Sequence, residues 1–241
     1  MNILAELRDE YDRLDRILDG LGEDQWHAES GAPGWTVCDV VMHLATSEEG
    51  VVSSIANPDP VWTSRDGTLD DAVAQQVARN RSSSAETLAR WRAAVGAALS
   101  ALAEADPDQR VRWAAAPLRP LSLATTRLAE HWAHGLDITE PLGIDFPDTD
   151  RLRHIAWLGH RTIPYGCSLI GIDAHPVRAE LAGPAGDSWV YGPADAETRV
   201  TGPAADFCRV GAQRLTPERS ALVGEGPFAT DALRVLRNYA A

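Results

Sequence analysis

Apolar residues open the chain at Ile3, Leu4, Leu7, Tyr11, Leu14, Ile17, Leu18 and Leu21, the three-and-four spacing of one buried helical stripe. The spacing predicts a helix over 3–21. A polar link carrying Pro33 and Gly34 follows, and TVCD at 36–39 has the form of a capping box. In such a box the threonine hydroxyl takes an orphan backbone N–H and the aspartate three residues on reaches back to the cap. A second helix is expected over about 37–55. TLDD at 68–71 repeats the signal and opens a helical region to about residue 105, with Ser82–Ser84 as a candidate interruption, because serine hydroxyls compete for backbone partners. Pro107 stops it. A further helix runs from Leu121 to about Ile138, entered past Pro117 and Pro120 and left before Pro141 and Gly143. A fifth covers about 150–167, with Pro164 near its end.

Beyond Gly171 the period changes. VRAELAG and SWVYG alternate apolar and polar residues between Gly and Pro punctuation, as half-buried antiparallel strands do. Helix-like segments over about 204–213 and 227–239 flank the short apolar run ALVG at 221–224. The expected fold is mainly α: an up-and-down helix bundle over 1–170, followed by a small α+β module over 171–241.

Composition narrows the function classes. With 44% hydrophobic and 24% charged residues the 241-residue chain can bury a sizeable core. No run approaches the roughly 18 apolar residues of a membrane span, and MNILAELRDEYDRLDRI lacks the apolar stretch of a signal peptide, so a cytoplasmic location is expected. The net charge of −13 opposes nucleic acid and anionic membranes as partners. All 22 basic residues are arginine, which leaves no lysine for a Schiff base. Cys38, Cys167 and Cys208 are odd in number and lack metal-ribbon or C-x-x-C spacing, which predicts buried, reduced thiols.

The segment AEHWAHGLDI at 129–138 places Glu130, His131, His134 and Asp137 in an apolar helix. Positions i and i+4 share a face, so Glu130 and His134 can grip one ion while His131 points about 100° away. A third ligand is expected from a neighbouring helix, and His43 lies among Val40, Val41 and Leu44 on the apolar stripe of the second helix. Two histidines and a glutamate without a fourth protein group suit a catalytic divalent ion with open positions, zinc first. The same spacing also fits a surface Glu–His pair beside a satisfied core histidine.

PGWTVCDVVMHL at 33–44 together with TTRLAEHWAHGLDI at 125–138 resembles the mycothiol-dependent maleylpyruvate isomerase family, a branch of the DinB-like metal-binding helix bundles. GPAADFCRVGAQR at 202–214 is similar to the sterol-carrier-like C-terminal module of that family, so the resemblance covers most of the chain. It implies metal ligands at His43, Glu130 and His134, the three that helix geometry selects, and mycothiol as thiol cosubstrate.

An open divalent site deprotonates a bound thiol. The resemblance implies addition of that sulfur to a small electrophile, giving isomerisation of the maleylpyruvate type, S-transfer or thiol exchange. Asp137 is placed to fix an imidazole tautomer, or to cap the helix or face solvent. Arg127 and Arg214 are candidate anion contacts, with solvated surface arginines as the alternative. Trp35 either walls the site or packs under the start of the second helix. Two further readings stay open: a non-catalytic metal-dependent binding or stress-response protein, and a metal-dependent hydrolase. A monomer or homodimer is expected.

Overall fold

The first stripe folds as α1 (Ile3–Asp19), capped by Asn2, whose side chain accepts the Leu4 N–H at 3.1 Å. In the computed structural model, which describes residues 2–57, 68–113 and 116–239, it buries Leu7, Tyr11, Leu14 and Leu18. A single turn, α2 (Glu23–Trp26), precedes α3 (Val37–Ala56). The capping box at α3 is formed on both sides: Thr36 Oγ1 accepts the Asp39 N–H at 3.2 Å, and Asp39 Oδ2 accepts the Thr36 N–H at 3.1 Å. The region opened by TLDD divides into α4 (Leu69–Asn80) and α5 (Ser84–Glu104). The break falls at the serine run, because Ser83 caps α5 through Glu86. The long α6 (Pro120–Leu142) completes the set. Helices α1, α3, α5 and α6 pack on one another around Leu14, Leu44, Trp91, Leu123 and Leu128.

Pro141 was expected to end α6 before it, yet the helix continues through it to Leu142 and closes on Gly143. The proline lacks the N–H that would bond the Asp137 carbonyl four residues back. That carbonyl accepts the Gly31 N–H instead, at 2.7 Å.

Contacts divide the chain at Phe146 and Pro147, not near residue 170. The segment expected as one helix over 150–167 is two, α7 (Leu152–Arg161) and α8 (Ile163–Ile170). Pro164 cannot donate to the His160 carbonyl, and the chain turns at Thr162, whose hydroxyl donates back to Leu158 O at 3.0 Å. Both helices belong to the C-terminal unit. An amphipathic stripe specifies a buried face but not which partner buries it.

The four strands of this unit are β1 (Val177–Ala182), β2 (Ser188–Tyr191), β3 (Thr198–Pro203) and β4 (Val223–Glu225), in the order β2-β1-β3-β4. β1 pairs antiparallel with β2 and parallel with β3, and β3 pairs antiparallel with β4. β3 has no counterpart in the sequence-based expectation. One of its inward positions is a threonine, Thr198, which is buried because its hydroxyl accepts the Phe228 N–H at 3.2 Å. Helices α9 (Ala204–Gly211) and α10 (Ala229–Val235) complete the unit with a short 3-10 turn at Pro217–Arg219; α7 packs on α9, and α8 on α10. The observed class is mainly helical with a small C-terminal sheet. Cys38, Cys167 and Cys208 are free and buried, and among the described residues no helix is long and apolar enough to cross a membrane.

Candidate metal centre

α3 and α6 bring together His43, Glu130 and His134, whose ligand atoms lie within 4.8 Å of one another. Glu130 Oε2 is 3.5 Å from His43 Nε2 and 3.5 Å from His134 Nε2. These separations are long for hydrogen bonds. They match the edge of a tetrahedral zinc site, where bonds of about 2.0–2.1 Å put neighbouring ligand atoms about 3.3 Å apart. The side chains are 12% exposed for each histidine and 24% for the glutamate, so the cluster is recessed but reachable. The donor set fits a divalent ion.

Protonation states follow from the surroundings. Burial pushes the His43 pKa down, only partly offset by Glu130, so its imidazole is neutral and offers a lone pair. Burial opposes the charge on Glu130, but the imidazoles of His134 and His43 and the Arg127 guanidinium together hold its carboxyl well below the usual range. Burial likewise opposes charge on His134, but Asp137 and Glu130 outweigh it and raise its pKa. Asp137 Oδ2 is 2.8 Å from His134 Nδ1 and Asp137 is 2% exposed. A carboxylate there keeps the proton on Nδ1 and turns the Nε2 lone pair toward Glu130.

The backbone of the same residue anchors the loop before α3. Gly31 donates to the Asp137 carbonyl released by Pro141, and a Cβ at Gly31 would stand 3.0 Å from Asp137 Cα. Glycine is needed for that approach. Trp35 follows in this loop, its ring 5.3 Å from the His43 ring and stacked on that of His134 at 6.4 Å. Of the two positions expected for Trp35, the structure shows it beside the imidazoles.

Behind the ligands lies a polar core. His131 is fully buried; the Trp91 indole N–H donates to its Nε2 at 3.2 Å, which leaves the proton on Nδ1 to donate to the Arg127 carbonyl at 3.0 Å. It is a satisfied core histidine, turned away from the ligand face. Arg127, expected as an anion contact or a solvated arginine, is neither: it is 3% exposed, and its Nε donates to Glu48 Oε1 at 2.7 Å. Burial opposes charge on both partners, yet the carboxylate keeps the Arg127 pKa high. Arg214 belongs to the C-terminal unit, where its Nη1 donates to the Ala212 carbonyl at 2.8 Å. Glu48 was not singled out from sequence. The available signal was its position four residues after Leu44 and three before Val51, inside an apolar stripe.

Residues 7–139 match the family described as the mycothiol maleylpyruvate isomerase N-terminal domain. Over 227 residues the chain is 38% identical to an uncharacterized protein found in two strains of Mycobacterium tuberculosis, covering 88% of this chain and 84% of that protein. Crystal structures of the mycothiol-dependent maleylpyruvate isomerase and of a mutant of it match with TM-scores of 0.64 and 0.62, over 93% of this chain and 95% of theirs. At 17% identity that likeness speaks for the fold.

Proposed function

The chain belongs to the mycothiol maleylpyruvate isomerase family, and on that premise we propose that it is a metal- and thiol-dependent enzyme using mycothiol to isomerise a small, electrophilic alkene of the maleylpyruvate type. The observation that carries this reading is the convergence of His43, Glu130 and His134 within 4.8 Å, on two helices. A divalent ion held there, zinc by the chemistry of the donors, supplies a Lewis acid that lowers the pKa of a thiol into the physiological range. His43 and His134 each present Nε2, Glu130 offsets one unit of the ion's charge, and Asp137 holds the tautomer of His134. Trp35 lies beside both imidazoles and bounds one side.

In the proposed reaction sulfur bonds to one alkene carbon, the remaining single bond rotates, and the same C–S bond breaks to return thiol and trans product. Splitting one barrier in this way is the purpose of covalent assistance. S-transfer or thiol exchange uses the same first step and differs in what leaves. The test is a trans-isomer assay with zinc-loaded protein, mycothiol and maleylpyruvate. Turnover that needs both zinc and thiol is expected. No heat on titrating mycothiol into zinc-loaded protein would overturn the thiol reading. Hydrolysis of an amide or ester without added thiol would favour a hydrolase, and ligand binding without turnover or metal a binding protein.

A further inference from the structure

The ligand-bearing helices are joined a second time, deeper in the bundle, by Glu48 of α3 and Arg127 of α6. Glu48 is 0% and Arg127 3% exposed by side chain, with Nε 2.7 Å from Oε1. His131 Nδ1 adds a contact to the same oxygen at 3.6 Å, and Arg127 lies 5.3 Å from the Trp113 ring centre. Buried pairs of this kind are poor sources of stability, because desolvating two charges cancels most of their attraction; apolar residues of equal volume often do better. Among the described residues Arg127 Nη2 has no hydrogen-bond partner, so within them the pair is not fully compensated. What a buried pair can supply instead is register, since sliding either helix leaves a charge without a partner.

The placement shows which register is at stake. Five residues separate His43 from Glu48, about 7.5 Å along α3, and three separate Arg127 from Glu130, about 4.5 Å along α6. His43 faces Glu130 and His134, while Glu48 faces Arg127. The two cross-links thus run in opposite chain order on antiparallel helices. A slip of one helical turn, about 5.4 Å, would break both.

We propose that the Glu48–Arg127 pair is a positioning device for the metal centre, fixing the α3–α6 register at which His43 meets Glu130 and His134. It rests on the metal reading above. The test is zinc affinity of the full chain, measured by competition with a chromophoric chelator, alongside the urea midpoint. The double variant Glu48→Leu/Arg127→Met removes both charges and keeps the volume. It is expected to retain or exceed the wild-type midpoint while zinc binding weakens about 10–100-fold, the usual cost of losing ligand support. A merely structural pair would lower the midpoint and leave affinity alone. The single variant Arg127→Lys, which keeps a cation on Glu48, is expected to stay within about threefold of wild type in affinity and guards against a double variant that does not fold. Wild-type affinity in the folded double variant, or a tenfold loss in a folded Arg127→Lys, overturns the positioning role alone. A wild-type protein that takes up no zinc overturns the metal reading and this one with it.

Discussion

Replacing Asp137 by asparagine isolates one link between the site and its support. The carboxylate lies 2.8 Å from His134 Nδ1 and is 2% exposed, so its hydrogen bond is shielded from water and assisted by charge, a class with a net contribution of about 1.5–3 kcal/mol. An amide oxygen can still accept from Nδ1, but without charge; an amide nitrogen turned toward the ring would move the proton to Nε2 and block the ligand position. Either way zinc affinity is expected to fall about 10–100-fold, or about 1.4–2.7 kcal/mol. The fold is spared, because the atom that holds Gly31 is the Asp137 backbone carbonyl. The assay is competition for zinc against a chelator at fixed pH, with a parallel urea titration. An Asp137→Asn protein that binds zinc within twofold of wild type refutes the reasoning. So does one whose urea midpoint drops while its zinc affinity holds.

Three further outcomes are expected. Wild-type protein binds about one zinc per chain and His43→Ala binds none under the same dialysis, as read by metal analysis; equal zinc in both would remove His43 from the site. Asp39, in its capping box and paired with Arg81 at 2.8 Å, is pushed up by burial but held below its ordinary pKa by Arg81 and Thr36. Its contribution is therefore present above the unfolded value of about 3.9 and lost as pH falls through the lower folded value. Asp39→Asn should cost about 1–2 kcal/mol at pH 7 and less at pH 3, compared by urea midpoints; an equal cost at both counts against the pairing. Gly135→Ala puts a Cβ 2.5 Å from Phe146 Cζ, and overpacking should outweigh the helix-propensity gain by about 1–2 kcal/mol, with an unchanged midpoint as the contrary result.

The long helices were legible because burial writes a period into the sequence, and their starts because TVCD and TLDD carry cap chemistry in fixed spacing. The three candidate ligands were legible for the same reason: i and i+4 on α6, and a histidine on the apolar stripe of α3. Other features depend on partners distant in sequence. Nothing near Pro141 tells that its missing N–H is matched by Gly31, more than 100 residues earlier. Nothing near Arg127 names Glu48. The stripe of residues 152–161 marks a buried face without saying that α9 covers it, and β3 lacks the apolar alternation that marks β1 and β2, since a hydrogen-bonded Thr198 takes an inward place. Sequence periodicity reports burial, while polar pairing is decided in three dimensions.

The three cysteines acquire a meaning if the protein handles a small sulfur nucleophile, as proposed above. Burial raises the pKa of Cys38 and Cys167, and that of Cys208 well above its ordinary value. Exchange with a disulfide needs an accessible, ionised sulfur, and none of the three offers one. On the proposed function, such a protein would sit in a pool of cosubstrate and its oxidised dimer without any of these three cysteines being captured as a mixed adduct.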